Sequence, residues 1–234
     1  MEPGFPQLEE EGLPYWPIAV GGDLSVDRLI SAYSQGIFPW FENDYWIQWW
    51  SPDPRAVLVL DDFKVSRSFR KSIRNRGYAV TMNQAFEDTI VNCSKRPRME
   101  HQPGEPSTWI TEGMIHAYLD FHRAGYAHSI ETWLGDELVG GLYGVCMGKV
   151  FSGESMFSKA RDSSKVALYY LVEHLKFWDF TLIDCQFRNE LFLSLGAKEI
   201  PRREYLEIVR ESAKEPLSDD VWKELKVNSN RQNL

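Results

Sequence analysis

Residues 140–197 read GGLYGVCMGKVFSGESMFSKARDSSKVALYYLVEHLKFWDFTLIDCQFRNELFLSLGA. Two runs rich in β-branched and aromatic residues, VFSGESMF (150–157) and TLIDCQF (181–187), read as strands, with an amphipathic helix over 163–177 between them. Each run carries polar groups: Glu154 in the first, Asp184 and Gln186 in the second. Carboxylates and a carboxamide set among Val, Leu, Ile, Phe and Cys are costly to bury unless hydrogen-bonded, paired or used. Residues two apart on a strand share a face, so Asp184 and Gln186 are expected to project together. The combination reads as a polar site floored by apolar side chains, with a purely structural polar network as the other reading.

Working outward, HSIETWL (128–134) and LVGGLYGVCM (138–147) read as strands joined by a GDE hairpin turn, and a second turn falls at Gly148. A short helix is expected near Asn189, and YLEIV (205–209) closes the series of strands. Toward the N-terminus, 111–124 reads as a helix ended by Gly125, MNQAFEDTIVNC (82–93) as a helix, and YAVTMN (78–83) as a strand. KRPRMEHQPGEPST (95–108) reads as a polar loop. The stretch 64–76 has helical spacing with six basic and no acidic residues. AVLVL (56–60) reads as a strand, and a helix capped at Asp23 or Ser25 is expected to stop at Gly36. The acidic, Pro/Gly-rich opening and the polar tail after Lys226 read as loosely held. The pattern is α+β, built on one mixed, antiparallel-rich sheet, with a small N-terminal α/β domain (1–60) ahead of a main domain (61–234).

With 234 residues, 43% hydrophobic and 14% aromatic, the chain is long and apolar enough for a proper core. A net charge of −8 gives no global attraction to nucleic acid, so any RNA contact needs a local patch. The basic stretch Lys64, Arg67, Arg70, Lys71, Arg74 and Arg76 is such a patch, or else an ordinary solvated helix face. Nine Trp are many for this length and read as core or as added stacking surface; Trp40, Trp46, Trp49, Trp50 and Trp109 read as glue between modules or as base-stacking surfaces. Cys93, Cys146 and Cys185 have no close pairing, and the five His lack productive ligand spacing, so neither disulfide nor metal is expected. No apolar run nears the roughly 18–20 residues of a membrane span, and no leader opens the chain; the expectation is a soluble cytoplasmic protein without membrane contact. Walker and Rossmann glycine fingerprints are absent, and GESMFS lacks the second Gly of a hydrolase elbow.

Ordered landmarks run almost the length of the chain: GIFPWF (36–41), WWSPDPRAVL (49–58), TWI (108–110), AHSIE (127–131), ELVGGLYGV (137–145), FSGESMFS (151–158), SKVAL (164–168), LIDCQ (182–186), SLGA (194–197) and IPRREY (200–205). In these the chain resembles the leucyl/phenylalanyl-tRNA–protein transferase family. The resemblance implies an acetyltransferase (GNAT)-like main domain and a cytoplasmic, monomeric, cofactor-free enzyme. It implies transfer of Leu or Phe, less readily Met, from aminoacyl-tRNA to proteins beginning with Arg or Lys, marking them for degradation. By position it makes Asp184 and Gln186 the catalytic pair and places Glu154 near the acceptor. It puts Trp40 and Trp109 on the terminal adenosine, with Asn189 among the substrate-binding residues. Leu142, Phe151, Met156, Leu168 and Ile183 become the pocket for the transferred side chain and Arg74 a tRNA contact, to which the basic stretch adds Arg70 and Lys71. Leu191 stands where the family usually has His. The rivals are an acetyl-CoA-dependent acetyltransferase, disfavoured because FSKARDSSK (157–165) has no Gly to bind a diphosphate, and a non-catalytic RNA- or peptide-binding protein.

Overall fold

In the computed structural model, which describes residues 4–6, 8, 16–95 and 109–225, the decisive stretch forms the middle of a seven-stranded sheet. The elements run β1 (Ala19–Val20), α1 (Val26–Tyr33), β2 (Phe38–Pro39), β3 (Gln48–Trp50), β4 (Arg55–Val59), α2 (Arg67–Asn75), β5 (Ala79–Met82), α3 (Phe86–Ser94) and α4 (Glu112–Arg123). They continue with β6 (Ala127–Leu134), β7 (Glu137–Met147), β8 (Val150–Ser158), α5 (Ser163–Phe177), β9 (Leu182–Gln186), α6 (Glu190–Ser194), β10 (Lys198–Ile200) and α7 (Arg202–Ser212). The large sheet has the order β10-β4-β9-β8-β7-β6-β5, and β1-β3-β2 form a small antiparallel sheet.

Within the large sheet only β8 and β9 run parallel; every other pairing is antiparallel. That pair is parallel because α5 carries the chain back along the sheet, as a parallel connection requires. Period-two alternation along β7 sorts its side chains: Leu142 and Cys146 join one apolar cluster, Tyr143 and Val145 another. The first cluster is closed by Leu168, Leu171 and Leu175 of α5, the second by α1, α3 and α4 through Leu29, Ile90, Met114 and Phe121. The helix α5 approaches β7 closely because Gly140 has no side chain; a Cβ there would lie 2.8 Å from the Ser163 carbonyl carbon.

Two expectations are corrected here. Arg55–Val59, placed ahead of the division at residue 60, is a strand of the large sheet, paired with both β9 and β10. YLEIV is not a strand but the middle of α7, where Tyr205, Leu206 and Val209 bury one helical face against Val57, Val150 and Leu182. Its β-branched residues resemble a strand, but the i, i+1, i+4 spacing of the buried positions is helical. The expected loop 95–108, apart from Lys95, and the tail after 225 lie outside the described residues, as does most of the opening arm.

Candidate active site

The site arises because β8 and β9 stop pairing almost at once. Their register covers Val150↔Leu182, Phe151↔Ile183 and Ser152↔Asp184, after which the strands diverge. Both also carry a pairing irregularity at this point. Glu154 is the extra residue between Gly153 and Ser155 opposite β7, and Cys185 the extra residue between Asp184 and Gln186 opposite β4. Bulges re-aim side chains, and they do so here.

The divergence opens a cavity of about 250 Å³. Its apolar part is lined by Leu142, Phe151, Met156, Leu168 and Ile183, all five anticipated, with Leu171 and Phe192 added. Its polar lining includes Glu154, Gln186 and Asn189, and Trp109 also lines it. Asn189 also caps α6, its Oδ1 accepting the Leu191 N–H at 2.9 Å. Trp40 does not line the cavity; it sits 5.0 Å, ring to ring, from Phe187, which does.

Glu154 and Gln186 meet directly, the Gln186 carboxamide NH2 donating to Glu154 Oε1 at 2.7 Å. The Tyr118 hydroxyl reaches Glu154 Oε2 at 3.4 Å and is itself hydrogen-bonded to the Tyr33 hydroxyl. Burial, offset partly by these hydrogen bonds, raises the Glu154 pKa from 4.5 to about 8. Burial likewise pushes both tyrosines well above 10, with the Glu154 charge adding to it.

Asp184 has a different place from the one expected. Its carboxylate does not line the cavity but is fully buried in an ion pair, Arg55 Nε and one terminal nitrogen each donating at 2.7 Å. Tyr205 donates to the same carboxylate at 2.9 Å and Ser152 at 3.1 Å. Asp184 Oδ1 also accepts the backbone N–H of Gln186 at 2.9 Å. That bond holds Gln186 at φ +63, a left-handed conformation that a non-glycine residue adopts at a cost of about 1–2 kcal/mol. The shared-face expectation fails because the bulge and this left-handed residue break the two-residue alternation. Asp184 therefore fixes the backbone of the residue whose side chain reaches the cavity.

Arg55, Tyr33, Tyr118, Ser152 and Tyr205 were not singled out from the sequence. Only Arg55 left a signal there, a charged residue at the head of the apolar run AVLVL. Arg70, Lys71 and Arg74 are exposed on α2, whose Ser72 donates to Asp162 at 2.6 Å beside the start of α5. In the turn before α5, the Lys159 and Ala160 N–H groups are both committed to the Val139 carbonyl, which removes them as diphosphate ligands. Among the described residues no group of three or more His, Cys, Asp or Glu could hold a metal ion, and no helix is long and apolar enough to cross a membrane.

Glu154 yields a test. Between pH 4.5 and about 8 the folded state holds a proton that the unfolded chain has released, so this group makes stability fall as pH rises through that window. Glu154→Gln is expected to remove that slope, at most about 1.4 kcal/mol per pH unit. Urea unfolding of both proteins at pH 5.5 and 8 measures it; a parent–variant difference that does not change with pH would refute a protonated Glu154.

A family model described as leucyl/phenylalanyl-tRNA protein transferase matches residues 57–210, and that family's N-terminal domain model matches residues 22–53. A protein called leucyl/phenylalanyl-tRNA--protein transferase from Pseudoalteromonas atlantica is 51% identical over 205 residues, 88% of this chain and 86% of the relative. Relatives of the same name from Chromobacterium violaceum (45% over 222 residues, 94% of this chain and 93% of the relative) and Syntrophobacter fumaroxidans (48% over 214 residues, 92% and 88%) also match. Among solved structures, L-PGS from Bacillus licheniformis matches at TM-score 0.39 and 14% identity, over 70% of this chain and 51% of that one. A GCN5-related N-acetyltransferase from Kribbella flavida matches at TM-score 0.37 and 10% identity, over 72% and 58%. Likenesses that slight say nothing about chemistry.

Proposed function

The chain belongs to the leucyl/phenylalanyl-tRNA protein transferase family and is a transferase, and from that premise we propose that it moves Leu or Phe, less readily Met, from aminoacyl-tRNA to the α-amino group of proteins beginning with Arg or Lys. It works as a cytoplasmic monomer without a cofactor, and its products are marked for degradation. The main domain is of the acetyltransferase (GNAT) type, which the antiparallel β6–β7–β8 run followed by the parallel, quickly diverging β8–α5–β9 unit supports. The observation that carries the reading is one cavity with an apolar floor and a Glu154–Gln186 polar wall.

Aminoacyl-tRNA is an activated ester, so the acceptor amine is the nucleophile. Its nitrogen bonds to the ester carbonyl carbon, the bond from that carbon to the ribose oxygen breaks, and the proton lost by nitrogen ends on that oxygen. Leu142, Phe151, Met156, Leu168 and Ile183 hold the transferred side chain, Trp109 and Trp40 hold the adenosine end, and Asn189 adds a polar contact to the substrate. With its NH2 committed to Glu154, Gln186 presents its carbonyl oxygen to the incoming amine. A carboxamide does not titrate near neutrality, so Gln186 positions the amine, and positioning alone is worth several kcal/mol. Asp184 acts one step back, through the Gln186 backbone. Glu154 attracts the cation of the acceptor's first residue; that charge favours the carboxylate form. Pockets of this kind discriminate about 10- to 200-fold per methylene-scale change, enough to prefer Leu and Phe over β-branched side chains.

Incubation with labelled Leu-tRNA or Phe-tRNA and an Arg-starting peptide is expected to label the peptide, while acetyl-CoA and an N-terminally acetylated peptide give nothing. Movement of acetyl label, or binding without turnover, would overturn the proposal. Arg70, Lys71 and Arg74 changed together to Ala should weaken tRNA binding. The log–log salt slope should flatten by about one for each residue that meets a phosphate. Transfer from a minimal aminoacyl-adenosine should be unaffected; an equal loss there would show that these residues do more than hold the tRNA.

A further inference from the structure

After α7 the chain turns back across the face of the large sheet that carries α5. Val221 is buried, and Leu217, Trp222 and Leu225 pack against the cluster that contains Leu142, Phe151, Met156, Leu168 and Ile183. The Trp222 indole stacks on the His128 imidazole with ring centres 3.9 Å and planes 8° apart. It lies 5.4 Å from the His174 ring, 6.1 Å from Phe180 and 5.7 Å from Phe151. Its carbonyl accepts Asn83 Nδ2 at 3.2 Å, and Asn83 Oδ1 in turn accepts the Ser129 N–H at 3.0 Å. Phe151 is thus held between two surroundings, the cavity and the Trp222 ring. The segment carrying Trp222 lies beyond residue 210, where the family model's match ends.

We propose that Trp222 determines donor specificity: its ring backs Phe151 and so sets how deep a side chain the cavity accepts. The inference rests on the donor-pocket reading above. Interiors are close-packed, so the position of a wall is decided by what stands behind it. Phe151 is only 1% exposed, so the side chains packed behind it decide where its ring sits. Shrinking Trp222 leaves a void that the surroundings fill only in part, and Phe151 is a neighbour able to move into it. The cavity then deepens on the side that meets the transferred side chain. A deeper cavity favours Phe over Leu, because Leu no longer reaches the floor and loses its contacts there.

The test is the ratio of kcat/KM for Phe-tRNA to that for Leu-tRNA, with one Arg-starting peptide as acceptor. Trp222→Leu is expected to raise the ratio about tenfold, within the span of a methylene-scale change in an apolar pocket, chiefly through a higher KM for Leu. Trp222→Phe, the gentler change, is expected to move the ratio in the same direction by less, and it serves if Trp222→Leu does not fold. Phe69→Leu is the control: Phe69 belongs to a separate cluster with Val166 and Tyr169, so it should lower thermal stability and leave the ratio unchanged. If the Trp222 variants depress both donors equally, Trp222 is a structural residue only and the inference falls. Binding of non-reactive Leu- and Phe-adenosine amides, without acceptor, separates the levels. Should the parent protein bind neither, the donor-pocket reading fails and this inference with it; should both bind with a ratio that Trp222 does not move, only the inference fails.

Discussion

Replacing Arg55 with Met is expected to destabilise the fold by about 3–5 kcal/mol, the usual consequence of leaving a buried charge without its partner. Asp184 is 0% exposed and Arg55 1%, and the guanidinium binds the carboxylate through two nitrogens, each at 2.7 Å. The guanidinium also lies 4.8 Å above the Phe38 ring and 4.4 Å from that of Tyr205, which an unbranched apolar side chain replaces in part. Packing therefore survives the change better than electrostatics does. Adding Asp184→Leu removes the stranded charge, and the double variant is expected to regain much of the loss. Urea unfolding of the two single variants and the double one closes the cycle. A single-variant cost below about 1 kcal/mol would mean that water reaches the pair and relieves it. Even if the double variant folds well, its transfer rate should stay low, because the Gln186 N–H has lost its acceptor.

Gln186→Gly should separate stability from activity. Transfer is expected to fall about 100-fold or more, the scale on which a misplaced reacting group costs rate. Stability should change by no more than about 1 kcal/mol, because glycine adopts φ +63 freely and relief of that strain offsets the lost bond to Glu154. Donor binding should persist, since the apolar floor is untouched. Single-turnover kinetics with Leu-tRNA, alongside thermal unfolding, measure both quantities. Transfer within threefold of the parent would remove the carboxamide from the mechanism.

The regular elements were legible where one physical signal dominated. β6–β8 followed from alternation and glycine turns, and α5 has its expected limits, although it is buried on nearly every face where an amphipathic helix was expected. The five apolar pocket positions, named from the family resemblance, do line one cavity beside Glu154 and Gln186. What escaped was whatever depends on distant contact. Arg55 lies 129 residues from the carboxylate it neutralises, and Tyr118 lies 36 from Glu154. No local pattern encodes such pairings. The irregularities at Glu154 and Cys185 were equally invisible, since a bulge is a property of two strands in register and not of either alone. α7 was misread because Tyr205–Val209 holds residues that suit a strand, and only packing decided for a helix.

The strand β4 lies between β9 and β10, yet it is made long before either. On the ribosome, Ala56, Val57 and Leu58 must wait for roughly 130 more residues, about 6–26 s at 5–20 residues per second, before their partners emerge. Through that interval an apolar segment with both edges open is at risk of pairing with other nascent chains. Arg55, at its head, keeps a charge in that segment until Asp184 arrives. The ion pair ties β4 to a strand 129 residues later in the chain, so the segment's charge is neutralised only by the partner that also closes its edge.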